Sequence, residues 1–85
     1  MTYQLSLHAQ EQLEKRKIPL SIINSVINSP QQIILQLDGT KVYQSQLDFG
    51  SGKTYLLRII INDDVDPMLV VTVYKTSQIN KYWRP

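Results

Sequence analysis

YLLRIIIN (residues 55–62) and MLVVTVYK (residues 68–75) are the two stretches of this sequence that decide its fold. Both are rich in the β-branched and aromatic residues that favour strands. The residues between them, DDVDP, combine aspartates with a proline, which is typical of a turn. The two stretches therefore predict a pair of neighbouring antiparallel strands.

A second pair of strands is predicted just before the first. Residues Ile33–Leu37 run into Asp38-Gly39, a strong hairpin signal, and Lys41–Leu47 follow as the return strand. Gly50-Ser51-Gly52 then provides a flexible connection to the next strand. Four consecutive strands joined by short turns predict an antiparallel meander.

The residues before the strands predict two helices. Ser6 is a suitable N-cap for a helix over residues 7–17. Pro19 suits the first turn of a second helix, which should end at Ser29-Pro30 because the residue before a proline leaves the α region. The second helix has a clear apolar face, made by Ile22, Ile23, Val26 and Ile27.

Both ends of the chain predict short elements. Residues 3–5 suit a short lead-in strand, and the tail predicts a short helix capped by Ser77, with Tyr82 and Trp83 as anchors in the core. A stacking surface made by Tyr82, Trp83 and Arg84 is the alternative. Taken together, the sequence predicts one α+β domain over residues 1–85. Two N-terminal helices pack on a four-stranded antiparallel meander, and a short C-terminal helix lies back on the domain.

Composition excludes several classes of site. The 85 residues include no cysteine, which excludes disulfides, cysteine-ligated zinc and thiol catalysis and favours a reducing cytoplasm. One histidine and scattered carboxylates form no ligand cluster, so we expect no metal and no cofactor. We also expect no signal peptide and no membrane partner, because no apolar run is long enough.

The sequence GSGKT (residues 50–54) resembles the end of a phosphate-binding loop. The full pattern needs a glycine where Leu47 stands, and the loop should open into a helix rather than a strand. We therefore interpret these residues as a hairpin connection.

Arg58 interrupts an otherwise apolar strand, where burial without a partner is costly. If Leu57, Ile59 and Ile61 face the helices together with Leu69, Val71 and Val73, Arg58 lies on the opposite face near Thr72 and Tyr74. A slip of one residue would instead group Arg58 with Val71 and Lys75, and would bury less apolar surface. An ion pair across the sheet, for example with Asp48, is the alternative to a functional role for Arg58.

His8 is the single histidine and could serve as a general acid or base. A lone histidine at a helix start is more often a surface or packing residue. The net charge is +2, and basic residues recur near the C-terminus at Lys75, Lys81 and Arg84. An excess of this size gives weak support for an anionic partner.

The order of several short motifs resembles the bacterial family called domain of unknown function 4258. The motifs are His8-Ala9, Arg16, Ile18 before a helix that ends at Ser29-Pro30, and the strands Leu57-Arg58-Ile59-Ile60 and Val70-Val71-Thr72-Val73-Tyr74. The resemblance covers nearly the whole chain. That family is similar in layout to the BrnT and RelE-type toxins, which cleave RNA without metal and are neutralised by an antitoxin. The similarity to these toxins is an analogy between folds, and a shared fold does not by itself establish a shared function.

The resemblance implies a metal-independent endoribonuclease of a toxin–antitoxin pair, with RNA and an antitoxin as partners. The implied catalytic residues are His8, Arg16, Arg58 and Tyr74, and the substrate-binding residues are Thr72, Lys75 and Lys81. In that mechanism a ribose 2′-OH attacks the neighbouring phosphate and the arginines stabilise its charge. Two alternatives remain open: a non-catalytic module that binds protein or nucleic acid, and a homodimer formed through an apolar sheet face.

Overall fold

A five-stranded mixed sheet forms the framework of the protein, in a computed structural model that describes residues 2–85. The elements in chain order are β1 (Tyr3–Leu5), α1 (Leu7–Arg16), α2 (Leu20–Asn28), β2 (Gln32–Leu35), β3 (Lys41–Asp48), β4 (Thr54–Asn62), β5 (Met68–Thr76) and α3 (Ile79–Tyr82). The strand order across the sheet is β1-β5-β4-β3-β2. No helix within residues 2–85 has the length and apolar character needed to cross a membrane.

The predicted four-stranded antiparallel meander is wrong. The strands β2 to β5 do pair antiparallel in chain order, but β1 adds a fifth strand that runs parallel to β5. Tyr3 lies opposite Met68 and Leu5 lies opposite Val70, so the first and last strands of the chain pair at this edge. A strand of three residues carries too little periodicity to reveal a partner so distant in sequence.

The helices α1 and α2 cover one face of the sheet, which we call the helix face. Ala9 and Leu13 of α1 are buried there, as are Ile23, Val26 and Ile27 of α2. The sheet contributes the core residues Tyr43, Leu57, Ile59, Ile61, Val70 and Val73. Apolar burial on this face is the main source of stability.

A β-bulge changes the predicted register in the last strand pair. Ile60 lies opposite Thr72, but the next residue, Ile61, lies opposite Val70, so Val71 is an extra residue. Because a single extra residue reverses the alternation of side chains, Val70 enters the core. The prediction that Leu69 and Val71 face the helices is therefore wrong, while Val73 lies there as expected.

Ser6 joins the first helix to the bulge. Its hydroxyl accepts a hydrogen bond from the Ala9 amide at 3.0 Å, which confirms the predicted N-cap of α1. The same hydroxyl donates to the carbonyl of the extra residue, Val71, at 2.7 Å. The Ser6 amide also donates to the Val70 carbonyl at 3.0 Å. One side chain thus fixes both the start of α1 and the bulge.

We predict that Ser6→Ala lowers the free energy of unfolding by about 1–2 kcal/mol, because it removes the helix cap and leaves the Val71 carbonyl without its donor. Urea denaturation followed by circular dichroism measures the change. Ser77→Ala is the control, since Ser77 is exposed and its hydroxyl makes no hydrogen bond within residues 2–85. Equal effects of the two substitutions would contradict the role given to Ser6.

Candidate functional site

A row of polar side chains crosses four neighbouring strands on the face opposite the helices. Gln32, Gln44, Arg58 and Tyr74 lie opposite one another on β2, β3, β4 and β5. Arg58 alternates with Leu57 and Ile59, which face the helices, so the whole row points to the other side. This confirms the predicted placement of Arg58 on the side of Tyr74.

Hydrogen bonds connect the row from end to end. Arg58 Nε donates to Gln44 Oε1 at 2.9 Å, and Arg58 Nη1 donates to the Tyr74 hydroxyl. Gln44 Nε2 in turn donates to Gln32 Oε1 at 2.7 Å. Gln44 is fully buried, so its amide group is held in one orientation by these partners.

The Arg58 side chain is 7% exposed, yet its hydrogen-bond partners are neutral. Within residues 2–85, one ion pair forms, between Lys41 and Asp63, and no carboxylate pairs with Arg58. Asp48, the acid suggested as a partner, accepts instead from the amides of Gly50 and Gly52. The positive charge of Arg58 is therefore uncompensated in a largely desolvated position, where an anion would be strongly attracted.

The tail, defined as residues 77–85, lies over this row, and we call the surface beneath it the tail face. The Tyr82 ring centre is 4.1 Å from Arg58 Cζ. The backbone carbonyl of Tyr82 accepts a hydrogen bond from Gln44 Nε2 at 3.3 Å. The Gln32 side chain makes two hydrogen bonds to the backbone of Arg84: Nε2 donates to the carbonyl, and Oε1 accepts from the amide. Tyr82 and Trp83 are half-buried, so the prediction that they anchor the core is wrong.

The aromatic and basic residues of the tail face form one cluster. The Tyr82 ring packs edge-on against the Tyr74 ring at 6.4 Å between centroids. The Lys81 ammonium lies 5.3 Å from the Tyr82 ring centre, on the exposed side of α3. Arg58 is stacked between sheet and tail as a cation over an aromatic ring.

An open groove of about 450 Å³ leads to Arg58. It is lined by residues 34–38 together with Arg58 and Arg84. Its size falls within the range of ordinary small-ligand pockets, about 300–1,000 Å³. Arg58 and Arg84 thus both border one concave surface.

Asp38 places a negative charge in the wall of the same groove. The hydroxyl of Thr40 donates to Asp38 Oδ1 at 2.6 Å, and the Thr40 amide donates to it at 2.9 Å. These bonds hold the pKa of the Asp38 carboxyl below its ordinary value. Asp38 is therefore ionised at neutral pH and opposes the approach of an anion.

The structure brings together four of the seven predicted site residues. Arg58 and Tyr74 are in contact, Thr72 is two residues from Tyr74 on the same face, and Lys81 lies against Tyr82. These positions follow from the register of β4 with β5 and from the return of the tail across the sheet.

The other three predicted residues lie on the helix side. His8 and Arg16 are exposed on α1, whose apolar side packs on the helix face, so the sheet separates them from Arg58. Arg16 Nε donates to Gln12 within the helix at 3.0 Å. Lys75 lies opposite Leu57, with its ammonium 4.6 Å from the Phe49 ring centre. The predicted constellation is therefore not assembled as one site.

Sequence reasoning missed two residues of the site, Gln32 and Gln44, and noted Arg84 without placing it beside Arg58. A two-residue turn at Asp38-Gly39 would pair Leu37 with Thr40 and therefore Gln32 with Ser45. The turn is one residue longer, so Gln36 lies opposite Thr40 and Gln32 lies opposite Gln44, which the hairpin signal does not reveal. No signal in the sequence indicates that the tail returns to Gln32. In the described part of the chain, no three His, Asp or Glu side chains form a group able to hold a metal ion.

Comparison with known protein families gives a match over most of the chain. The family model described as domain of unknown function (DUF4258) matches residues 5–75. The chain belongs to this family. The match includes Arg58, Tyr74 and the strands that place them, whereas the tail with Tyr82 and Arg84 lies beyond it. No curated protein and no solved structure matches the chain.

Proposed function

We propose that this DUF4258 member binds single-stranded RNA through the groove of the tail face. The observation that carries the proposal is the buried guanidinium of Arg58, which has neutral partners and lines an open groove beside Arg84. A phosphate would supply the missing negative charge and accept charge-assisted hydrogen bonds. We place this activity in the cytoplasm, in keeping with the absence of cysteine.

Aromatic residues beside the groove support a nucleic acid over a simple anion. Tyr74 and Tyr82 lie next to Arg58, and Lys81 is exposed beside them. Proteins that bind single strands combine basic residues, which follow the backbone, with aromatic rings on which bases stack. A base of the bound strand would stack near Tyr82 while its phosphate meets Arg58.

Arg84→Gln tests the proposal at the more accessible of the two guanidiniums. We expect it to weaken binding of a labelled single-stranded RNA about threefold to tenfold, because one phosphate contact is lost. The slope of log K against log salt should also fall by about 0.7. Fluorescence anisotropy at several salt concentrations measures both quantities.

Two further variants sharpen this test. Arg16→Gln removes the same charge from the opposite side of the molecule and should leave the affinity unchanged. Asp38→Asn removes the opposing carboxylate from the groove and should strengthen binding about twofold to threefold at low salt. If RNA fails to bind, or if the Arg16 and Arg84 variants weaken binding equally, the groove is not the binding site.

An endoribonuclease toxin neutralised by an antitoxin is the second candidate, and the contact of Arg58 with the Tyr74 hydroxyl favours it. The 2′-OH would attack the phosphorus as the bond to the 5′-oxygen breaks, and the Tyr74 hydroxyl, in place of the distant His8, would donate its proton to the leaving 5′-oxygen and take up the proton of the 2′-OH. Arg58 would stabilise the charge on the phosphate. Tyr74→Phe should then abolish RNA cleavage and the growth arrest caused by the protein expressed alone. Fragments ending in a 2′,3′-cyclic phosphate would support this function. Binding by purified protein without any cleavage would leave RNA binding alone.

A further inference from the structure

The strand β2 forms an open edge of the sheet. Gln36 donates its amide to the Thr40 carbonyl, so the even-numbered residues direct their backbone groups towards β3. By the alternation of an antiparallel ladder, the N–H and C=O groups of Ile33 and Leu35 point away from the sheet. This edge can therefore accept another strand.

Apolar side chains follow the same edge. Ile33 is 52% exposed, Leu35 is 74% exposed and Leu37 is fully exposed. Ile33 and Leu35 lie on the helix face, but α1 packs mainly on β5 and α2 on β3, so β2 extends beyond both helices. Natural edge strands are usually protected by charges, prolines or bulges. The segment from residue 30 to residue 37 contains no charged residue, and its proline precedes the strand.

We infer that a second copy of this chain covers the edge, with β2 of one copy antiparallel to β2 of the other. A two-fold axis perpendicular to the sheet would join the two sheets into one continuous sheet. Ile33 and Leu35 of both copies would then meet on the same face and leave water together. The N–H and C=O groups that point outward from each β2 would become paired.

Two features of the chain favour a second copy as the occupant. The chain carries a net charge of +2, yet residues 30–37 are uncharged, so two identical segments can meet without like charges opposite each other. The other edge of the sheet, β1, has three residues, so head-to-tail pairing of β2 with β1 would be shorter. Pairing of β2 with itself uses the same surface on both copies and closes the assembly as a dimer.

Sedimentation velocity across a range of protein concentrations tests the inference. We expect the wild-type chain to approach twice its monomer mass of 9.9 kDa. Leu35→Lys combined with Leu37→Lys should shift it to monomer without loss of structure, since both side chains are exposed. Leu7→Lys is the matched control, because Leu7 is 71% exposed on α1, and it should remain dimeric. A wild-type protein that stays monomeric at all concentrations would overturn the inference. A monomer whose β2 edge pairs with a different protein would overturn it as well.

Cross-linking tests the position of the contact independently of stability. The chain has no cysteine, so a single substitution gives one defined thiol. Under mild oxidation, Leu35→Cys, Ile33→Cys or a mixture of the two proteins should form a covalent dimer, because a two-fold strand pair brings one of these positions close to itself or the two positions close to each other. Leu7→Cys should form no covalent dimer under the same conditions, because Leu7 lies on α1, away from β2. Equal cross-linking at all three positions, or at none, would place the interface elsewhere.

Discussion

Arg58→Lys is expected to reduce the affinity of the protein for single-stranded RNA at least about tenfold. Lysine keeps the positive charge but lacks the planar set of donors with which Arg58 binds Gln44 and Tyr74. The ammonium would lie in a different position and would no longer present fixed donors to a phosphate. Hydrogen bonds to charged groups contribute about 1.5–3 kcal/mol, which corresponds to a change of about tenfold or more.

The matched control for this prediction is Arg16→Lys, which makes the same change on the opposite side of the sheet. Anisotropy titrations of one labelled RNA against both variants and the wild type measure the difference. Circular dichroism confirms that each variant is folded at the titration temperature. Unchanged affinity in a folded Arg58→Lys protein would mean that the charge alone, rather than its fixed geometry, attracts the RNA.

Gln44→Leu is expected to lower the free energy of unfolding by about 2–4 kcal/mol. Gln44 is fully buried and is the partner of Arg58 Nε, so leucine leaves the buried Nε–H of Arg58 without an acceptor. The substitution also removes the donor to the Gln32 side chain and to the Tyr82 carbonyl. The loss should therefore exceed that of a single neutral hydrogen bond, which is about 1 kcal/mol.

The double variant Gln44→Leu with Arg58→Met should recover much of that stability. When both partners become apolar, no unpaired charge remains in the sheet, and such replacements are often neutral or stabilising. Urea denaturation of the wild type, both single variants and the double variant gives the coupling free energy. If the effects of the two substitutions simply add, then Gln44 and Arg58 do not depend on each other as proposed.

The sequence was sufficient to place Arg58 on the correct face. The alternation of Leu57, Arg58 and Ile59 fixes which side chains face the helices, and the adjacent strand brings Tyr74 opposite Arg58. These relations are local, because two neighbouring strands joined by a short turn have few possible registers. The start of α1 at Ser6 was predictable for the same reason, since a helix cap depends on adjacent residues.

Features that join distant parts of the chain were not predictable. The pairing of β1 with β5 joins residues more than 60 positions apart in the sequence, and a strand of three residues has no distinctive pattern. The bulge at Val71 depends on the same contact, because its carbonyl is bound by Ser6. The tail face likewise forms only when Arg84 returns to Gln32.

The predicted role of His8 depended on the order of motifs along the chain, which does not indicate the side of the sheet on which each residue lies. His8 lies on a helix that packs on one side of the sheet, whereas Arg58 points to the other side. Two residues that recur in a family pattern can therefore serve separate purposes. The site that the structure supports contains Gln44 and Arg84 instead, and neither stands out in the sequence because glutamine and arginine are common on surfaces.

The most direct test of the RNA-binding groove is nuclear magnetic resonance of the arginine side chains during an RNA titration. The chain has three arginines, Arg16, Arg58 and Arg84, so the Nε–H signals can be assigned with one substitution each. We expect the Arg58 and Arg84 signals to shift together and to saturate with the bound RNA, while the Arg16 signal stays unchanged. An Arg58 signal that does not move while RNA binds would contradict the account.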